Sequence, residues 1–199
     1  FYSYNNSSLI NFSGLFNLEI IDFFYVFDNP NLLDFTGLDM LDGILSDFNC
    51  YNNYSLINFN GLLTFDYLQT LSVHDNYSLL NFNGLENLAY LSSINVYNNY
   101  NLINFNSLGQ LTSTNRIYCV NNHSLQNFIG LENIETITSI FYVEDNTNLQ
   151  NFGGLDNLET IAYFYVSDNI NLQSFEGLNS LIYVYGGIEI INNDQLNSL

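Results

Sequence analysis

The sequence predicts an all-β fold: a right-handed parallel β-solenoid with one short strand per coil, eight coils and a partial ninth. Three observations predict it. First, Asn recurs at Asn6, Asn29, Asn53, Asn76, Asn99, Asn122, Asn146, Asn169 and Asn193, always 23 or 24 residues apart. A period in that range is the length of one coil in a stacked repeat array. Second, the residues after each Asn are apolar at every third position. Third, the residues before each Asn alternate between apolar and polar.

Each element follows from that frame, with the repeated Asn as position 0. Position +3 is Leu in every copy, from Leu9 to Leu196. Position +6 is Phe from Phe12 to Phe175 and Leu199 in the last copy. Position +9 is Leu from Leu15 to Leu178, +12 is Leu, Ile or Phe, and +15 is apolar except at Thr114. Such spacing suits a chain of tight turns, each sending one side chain inward. Position +8 is Gly except at Ser107, as a positive φ or a close backbone approach requires. Positions −5 and −3 carry the alternation, as in Phe24/Val26, Leu71/Val73 and Phe164/Val166, the mark of a half-buried strand. The extra residue of the longer coils falls between +15 and that strand, where a loop can absorb it. The repeated Asn should form a ladder that satisfies inward-pointing backbone groups. A second polar column runs at +5, from Asn11 to Ser198. The whole of 1–199 reads as one repeat domain of about 40 Å at sheet spacing.

Composition narrows the partners. The chain has no Lys, one Arg (Arg116) and twenty acidic residues, for a net charge of −19. Nucleic acid needs a cationic footprint and is not an expected partner; anionic membrane surfaces are disfavoured likewise. No apolar run reaches the roughly 18 residues of a membrane span, so no membrane insertion is expected. The chain opens on Phe without a visible signal peptide and reads as a mature or trimmed product.

Segments such as Asn76-Tyr-Ser-Leu-Leu-Asn-Phe-Asn-Gly-Leu-Glu-Asn-Leu and Asn169-Ile-Asn-Leu-Gln-Ser-Phe-Glu-Gly-Leu-Asn-Ser-Leu resemble leucine-rich repeats of the receptor-L-domain type. The signature L-x-x-L-x-L-x-x-N maps onto Leu68, Leu71, Val73 and Asn76, although the next apolar residue follows Asn by three positions rather than two. The resemblance covers the whole chain. It implies a secreted or cell-surface recognition and scaffold role, in families that host many partners.

Candidate chemistry is sparse. Cys50 and Cys119 share the inward −3 column three coils apart, roughly 14 Å, too far for a disulfide, and read as buried thiols. His74 and His123 lie in different columns and read as solvent-facing. Glu132 and Asp156 share column +10, and Glu135 and Glu159 share column +13; together they form a weak Ca²⁺ candidate within a solvated acidic face. No cofactor is otherwise expected. Paired carboxylates also occur in glycosidases, and parallel β-helices include polysaccharide lyases, but the near absence of cations argues against an enzyme on acidic sugars. An ice-binding face is not expected, because no flat column is a Thr ladder. Among the N-x-S/T sequons, Asn5 is the best glycosylation candidate, since Asn6, Asn53, Asn76 and Asn122 belong to the ladder.

Two surfaces remain. Outward strand positions −4 and −2 form an aromatic face that includes Tyr25, Phe27, Tyr51, Tyr97, Tyr118, Tyr142 and Tyr165. Position +4 is apolar at Ile10, Leu33, Ile57, Leu80 and Ile103, then turns polar at Gln126, Gln150 and Gln173. Tyr54, Tyr77 and Tyr100 at +1 accompany it, giving a strip of five coils, about 24 Å long. Neither end shows a capping repeat, so the domain is expected to be uncapped or part of a longer chain. The leading expectation is an extracellular structural or adhesive protein that acts through lateral and end-to-end contacts carried by the strip and the bare ends, with filaments as one outcome. The alternative is a recognition module that binds carbohydrate or peptide on the aromatic strand face.

Overall fold

The computed structural model describes residues 1–44 and 46–197; Leu45, Ser198 and Leu199, the last two continuing columns +5 and +6, lie outside the described residues. The strands are β1 (Tyr2–Tyr4), β2 (Ile20–Ile21), β3 (Phe24–Phe27), β4 (Gly43–Ile44), β5 (Asp47–Tyr51), β6 (Tyr67–His74), β7 (Tyr90–Tyr97), β8 (Ser113–Val120), β9 (Thr136–Glu144), β10 (Thr160–Ser167) and β11 (Tyr183–Ile191). No helix occurs among the described residues. Nine strands form one parallel sheet in the order β1-β3-β5-β6-β7-β8-β9-β10-β11, while β2 pairs only with β4. Sheet neighbours are successive coils, so the chain is a parallel β-solenoid. Val26, Cys50, Val73, Val96, Cys119, Val143, Val166 and Ile190 face one another in register along column −3.

Strand length differs from the expectation. From β6 onward the strands run eight or nine residues, back to about −9, rather than covering only −5 to −2. The extra residue of a 24-residue coil sits where the sequence placed it but is absorbed inside the strand. The pairing slips by one residue between Thr114↔Ile137 and Arg116↔Ile140, which makes a bulge in β9 rather than a loop.

The rest of each coil is a run of three-residue turns. The amide of Leu102 donates to Asn99 O, that of Leu108 to Phe105 O and that of Leu111 to Leu108 O, and the same set recurs in the other coils. Each turn points a residue of column +3, +6, +9 or +12 inward. These columns, with −5 and −3, form one continuous core. The Phe residues of column +6 stack along the axis with ring centres 5.3–5.7 Å apart. Thr114, the polar exception at +15, is buried but donates its hydroxyl to Leu91 O at 2.9 Å. In β11 the inward positions Ile188 and Ile190 are exposed and border a pocket of about 560 Å³ with Phe164, Phe175 and Leu178.

The Asn ladder is built as two-coil staples. Asn99 Nδ2 donates back to Val73 O at 2.9 Å, and Asn99 Oδ1 accepts the amide of Asn76 at 3.1 Å. Asn53, Asn76, Asn122, Asn146 and Asn169 repeat the pattern, and all of them are fully buried. Column +5 works differently: it is not a ladder between coils. From Asn11 to Ser174 each side chain accepts the amide two residues on, as Asn58 does from Asn60 and Asn104 from Asn106, closing a local turn.

Gly at +8 meets both requirements. At Gly130 φ is +106°, and an added Cβ would lie 2.0 Å from Phe105 O in the preceding coil. Ser107 holds φ 84° at the equivalent place. The bond it borders, Phe82 N to Asn106 O, is 3.2 Å, against 2.7–2.9 Å in the other coils. Ser107→Gly relieves that strain but forfeits the hydroxyl that bonds Asn83 Oδ1 and Glu86 Oε1, each at 3.0 Å, and adds flexibility to the unfolded chain, so stability should stay within about 0.5 kcal/mol. Gly130→Ser should lower stability by about 2 kcal/mol. Chemical denaturation of the two variants checks the contrast.

Candidate interaction surfaces

One structural column escaped the sequence reading. Position −1 is Asn5, Asp28, Asn52, Asp75, Asn98, Asn121, Asp145, Asp168 or Asn192, and every one has φ between 54° and 59°. Asn and Asp tolerate this left-handed turn better than other L-residues. Their side chains also zip neighbouring coils: Asn52 donates to Asp28, Asn98 to Asp75 and Asn121 to Asn98 at 2.7–3.0 Å. The Asx-Asn pair in every coil was the available signal. Asn5, the glycosylation candidate, is the exposed first member of this column, whereas Asn53, Asn76 and Asn122 are fully buried.

Cys50 and Cys119 are free, buried thiols, and burial pushes Cys119 up to about 12 and Cys50 upward as well. Asn53 and Asn122 direct Nδ2 to their sulfurs at 3.4 and 3.5 Å. Both histidines lie half-buried in outward columns, where their rings continue aromatic stacks. His74 lies between Tyr51 and Tyr97 at 4.6 and 4.3 Å, its Nδ1 2.8 Å from Asp75 Oδ2. His123 rests on Tyr100 at 5.1 Å. Their neighbours in the column decide their packing.

Glu132, Glu135, Asp156 and Glu159 are all exposed. Glu132 accepts the amide of Gly130 at 2.8 Å and Asp156 that of Gly154 at 3.3 Å, so the +10 acids hold the glycine turn. Among the described residues no three His, Cys, Asp or Glu groups are gathered in metal-binding reach.

The aromatic strand face contains two offset stacks. Column −2 stacks Tyr4, Phe27, Tyr51, His74 and Tyr97 with ring centres 4.3–4.9 Å apart. Column −4 stacks Tyr118, Tyr142 and Tyr165 at 5.3 and 4.4 Å, with Tyr2 on Tyr25 at the other end. Burial, then the hydrogen bond from its hydroxyl to Glu144, pushes the Tyr142 phenol upward. Arg116 donates Nε to Ser93 Oγ at 3.0 Å and rests 5.9 Å from the Tyr118 ring centre.

The +1/+4 strip stands in solvent. Leu33, Ile57, Leu80 and Ile103 are 38–40% exposed and Ile10 is 54%, so they do not fold back onto the coil. Tyr54, Tyr77 and Tyr100 stack at 5.1 and 4.9 Å beside them. Backbone bonds such as Leu80 N to Ile57 O and Ile103 N to Leu80 O hold column +4 straight. Positions +1 to +5 carry only two acids, Asp34 and Asp194, although the chain has twenty. No helix long and apolar enough to cross a membrane is present among the described residues. Compared with known proteins, the chain matches no family model, no curated protein and no solved structure.

Proposed function

We propose that the chain is a secreted or cell-surface repeat protein of the leucine-rich, receptor-L-domain-like kind, with a structural or adhesive role exercised by joining copies of itself laterally. The observation that carries this reading is the exposed, nearly uncharged strip of Ile10, Leu33, Ile57, Leu80 and Ile103 with Tyr54, Tyr77 and Tyr100. The core columns are already filled without these side chains, so folding gives no reason for them to be apolar. Contiguous apolar area of this kind favours association. The remaining surface bears the net charge of −19, which repels a second copy; the strip is the face that two copies can bring together at least electrostatic cost. End-to-end contacts between such assemblies would extend them into filaments.

Sedimentation velocity across a concentration series tests the proposal. Self-association is expected, stronger at 0.5 M salt, where the Debye length falls well below about 10 Å, than at about 0.01 M. Ile57→Ser with Leu80→Ser should weaken it about tenfold or more while leaving circular dichroism unchanged. A monomer at all concentrations and salt levels, or assembly indifferent to the double substitution, would sink it.

A further inference from the structure

On the strand face, columns −4 and −2 both carry rings in the first two coils, Tyr2 and Tyr25 beside Tyr4 and Phe27, and then become complementary. Beside the rings of Tyr51, His74 and Tyr97 at −2, column −4 carries the short polar residues Asn49, Ser72 and Asn95. One coil later the pattern inverts, since Asn95 pairs with Tyr118 and Tyr97 with Val120. The −2 stack therefore ends at Tyr97: one face of its ring lies on His74, and the other looks toward Val120, with no ring against it. The −4 stack begins at Tyr118, preceded by Asn95. An open pocket of about 390 Å³ lies at this crossover, lined by Ser72, Asn95, Tyr97, Asn98, Tyr118 and Val120. That is within the range of small-ligand sites, roughly 300–1,000 Å³.

Folding does not account for the floor of this pocket. Column 0 staples coils, column −1 zips them and column +5 closes turns. The side chains of Asn49 and Asn95 make no hydrogen bond within the described residues, although both are half-buried on the rigid centre of the sheet, and between them the Ser72 hydroxyl faces that of Tyr97. They stand in one line, about 4.8 Å apart at sheet spacing, between Tyr25 and Tyr118 of their own column. The wall of Tyr51, His74 and Tyr97 runs alongside.

We propose that this notch binds a neutral glycan, with a pyranose ring packed against the Tyr97–Tyr118 corner, its hydroxyls bonded to Asn95 and Ser72, and the next sugar of the chain reaching Asn49. The C–H face of a pyranose makes dispersion contact with an aromatic ring, and its rim hydroxyls both donate and accept, as side-chain amides and hydroxyls require. None of the six lining residues is charged, and the chain's net charge of −19 disfavours polyanionic sugars. A peptide strand has no backbone to pair with here, because β6, β7 and β8 already pair with both neighbours. This site lies on a different face from the self-association strip and stands independently of it.

Titration of the isotope-labelled protein with cellohexaose, chitohexaose and laminarihexaose, followed by amide NMR, tests the proposal, with hexalysine as a charged control. At least one of the neutral saccharides is expected to shift the side-chain amide of Asn95 and the backbone of Tyr118, with a Kd near 1 mM for so open a site. Asn95→Ala with Ser72→Ala, which removes no hydrogen bond of the fold beyond the surface contact of Ser72 with Tyr97, should weaken binding about tenfold, as should Tyr118→Ala alone. Gln150→Ala on column +4 should leave it unchanged. The proposal fails if none of the three saccharides perturbs the notch at about 10 mM. It fails equally if binding survives the double substitution, or if hexalysine alone produces the shifts.

Discussion

Asn99→Ala is expected to lower stability by about 3–5 kcal/mol, and Asn99→Asp by more, enough to leave much of the chain unfolded. Asn99 is fully buried, and its amide serves three backbone groups of other residues. Nδ2 donates to Val73 O at 2.9 Å and Tyr97 O at 3.2 Å, and Oδ1 accepts the amide of Asn76 at 3.1 Å. Truncation takes the side-chain partner from all three away from water, at about 1–3 kcal/mol each before relaxation, with Tyr97 O the least affected because it also accepts the Asp75 amide at 3.2 Å. Asp is worse. It keeps the acceptor but turns the donor into a second oxygen facing two carbonyls, and it must either carry an unpaired buried charge or take up a proton. The chain itself separates the two cases: column −1 mixes Asn with Asp, while column 0 is Asn in all nine copies. A urea titration read by circular dichroism measures the loss. Asn193→Ala, at the partly exposed last rung, should cost only about 1 kcal/mol. Equal losses at the two rungs would mean that burial of the ladder is not what gives it its weight.

Much of this architecture was legible because a period turns single residues into columns. Leu at +3, Phe at +6 and Gly at +8 could each be assigned from the repeat alone, and the structure gives each the role its chemistry suggested. What the sequence did not yield had physical reasons. The positive φ at −1 is a backbone property, and in a chain this rich in Asn, an Asn or Asp before the ladder residue reads as composition. His74 is polar in itself, but the rings of Tyr51 and Tyr97 above and below it decide its packing. Long strands from β6 onward required knowing that a bulge, not a loop, takes up the extra residue. Both outer faces were visible as columns. The notch was not, because a pocket depends on where one stack stops and the next begins across two columns, as at Tyr97 and Tyr118.

Phe105→Ala should cost about 3–5 kcal/mol and make unfolding less cooperative, with a broadened or split thermal transition. Phe105 is fully buried in the middle of the ring column, 5.4 Å from Phe82 and 5.5 Å from Phe128. In a rounded core, neighbours collapse partly into such a space. Here the coil spacing is held on both sides of Phe105 by backbone bonds, 2.8 Å from its own amide to Ile129 O and 3.2 Å from Phe82 N to Asn106 O. Neither neighbouring ring can advance along the axis without breaking one of them. The cavity therefore stays open, which places the cost toward the upper part of the range for core truncations. A solenoid's stability is a sum over neighbouring coils, so weakening two adjacent interfaces in the middle divides the chain into halves that melt separately. Phe175→Ala, on a half-buried ring near the last coil, should cost about 1–2 kcal/mol and leave one transition. Differential scanning calorimetry distinguishes the two variants. The same defect lies beneath Leu80 and Ile103 on one face and Asn95 and Tyr118 on the other. Phe105→Ala should then loosen both proposed binding surfaces together while changing no residue in either, whereas Phe175→Ala should leave both intact.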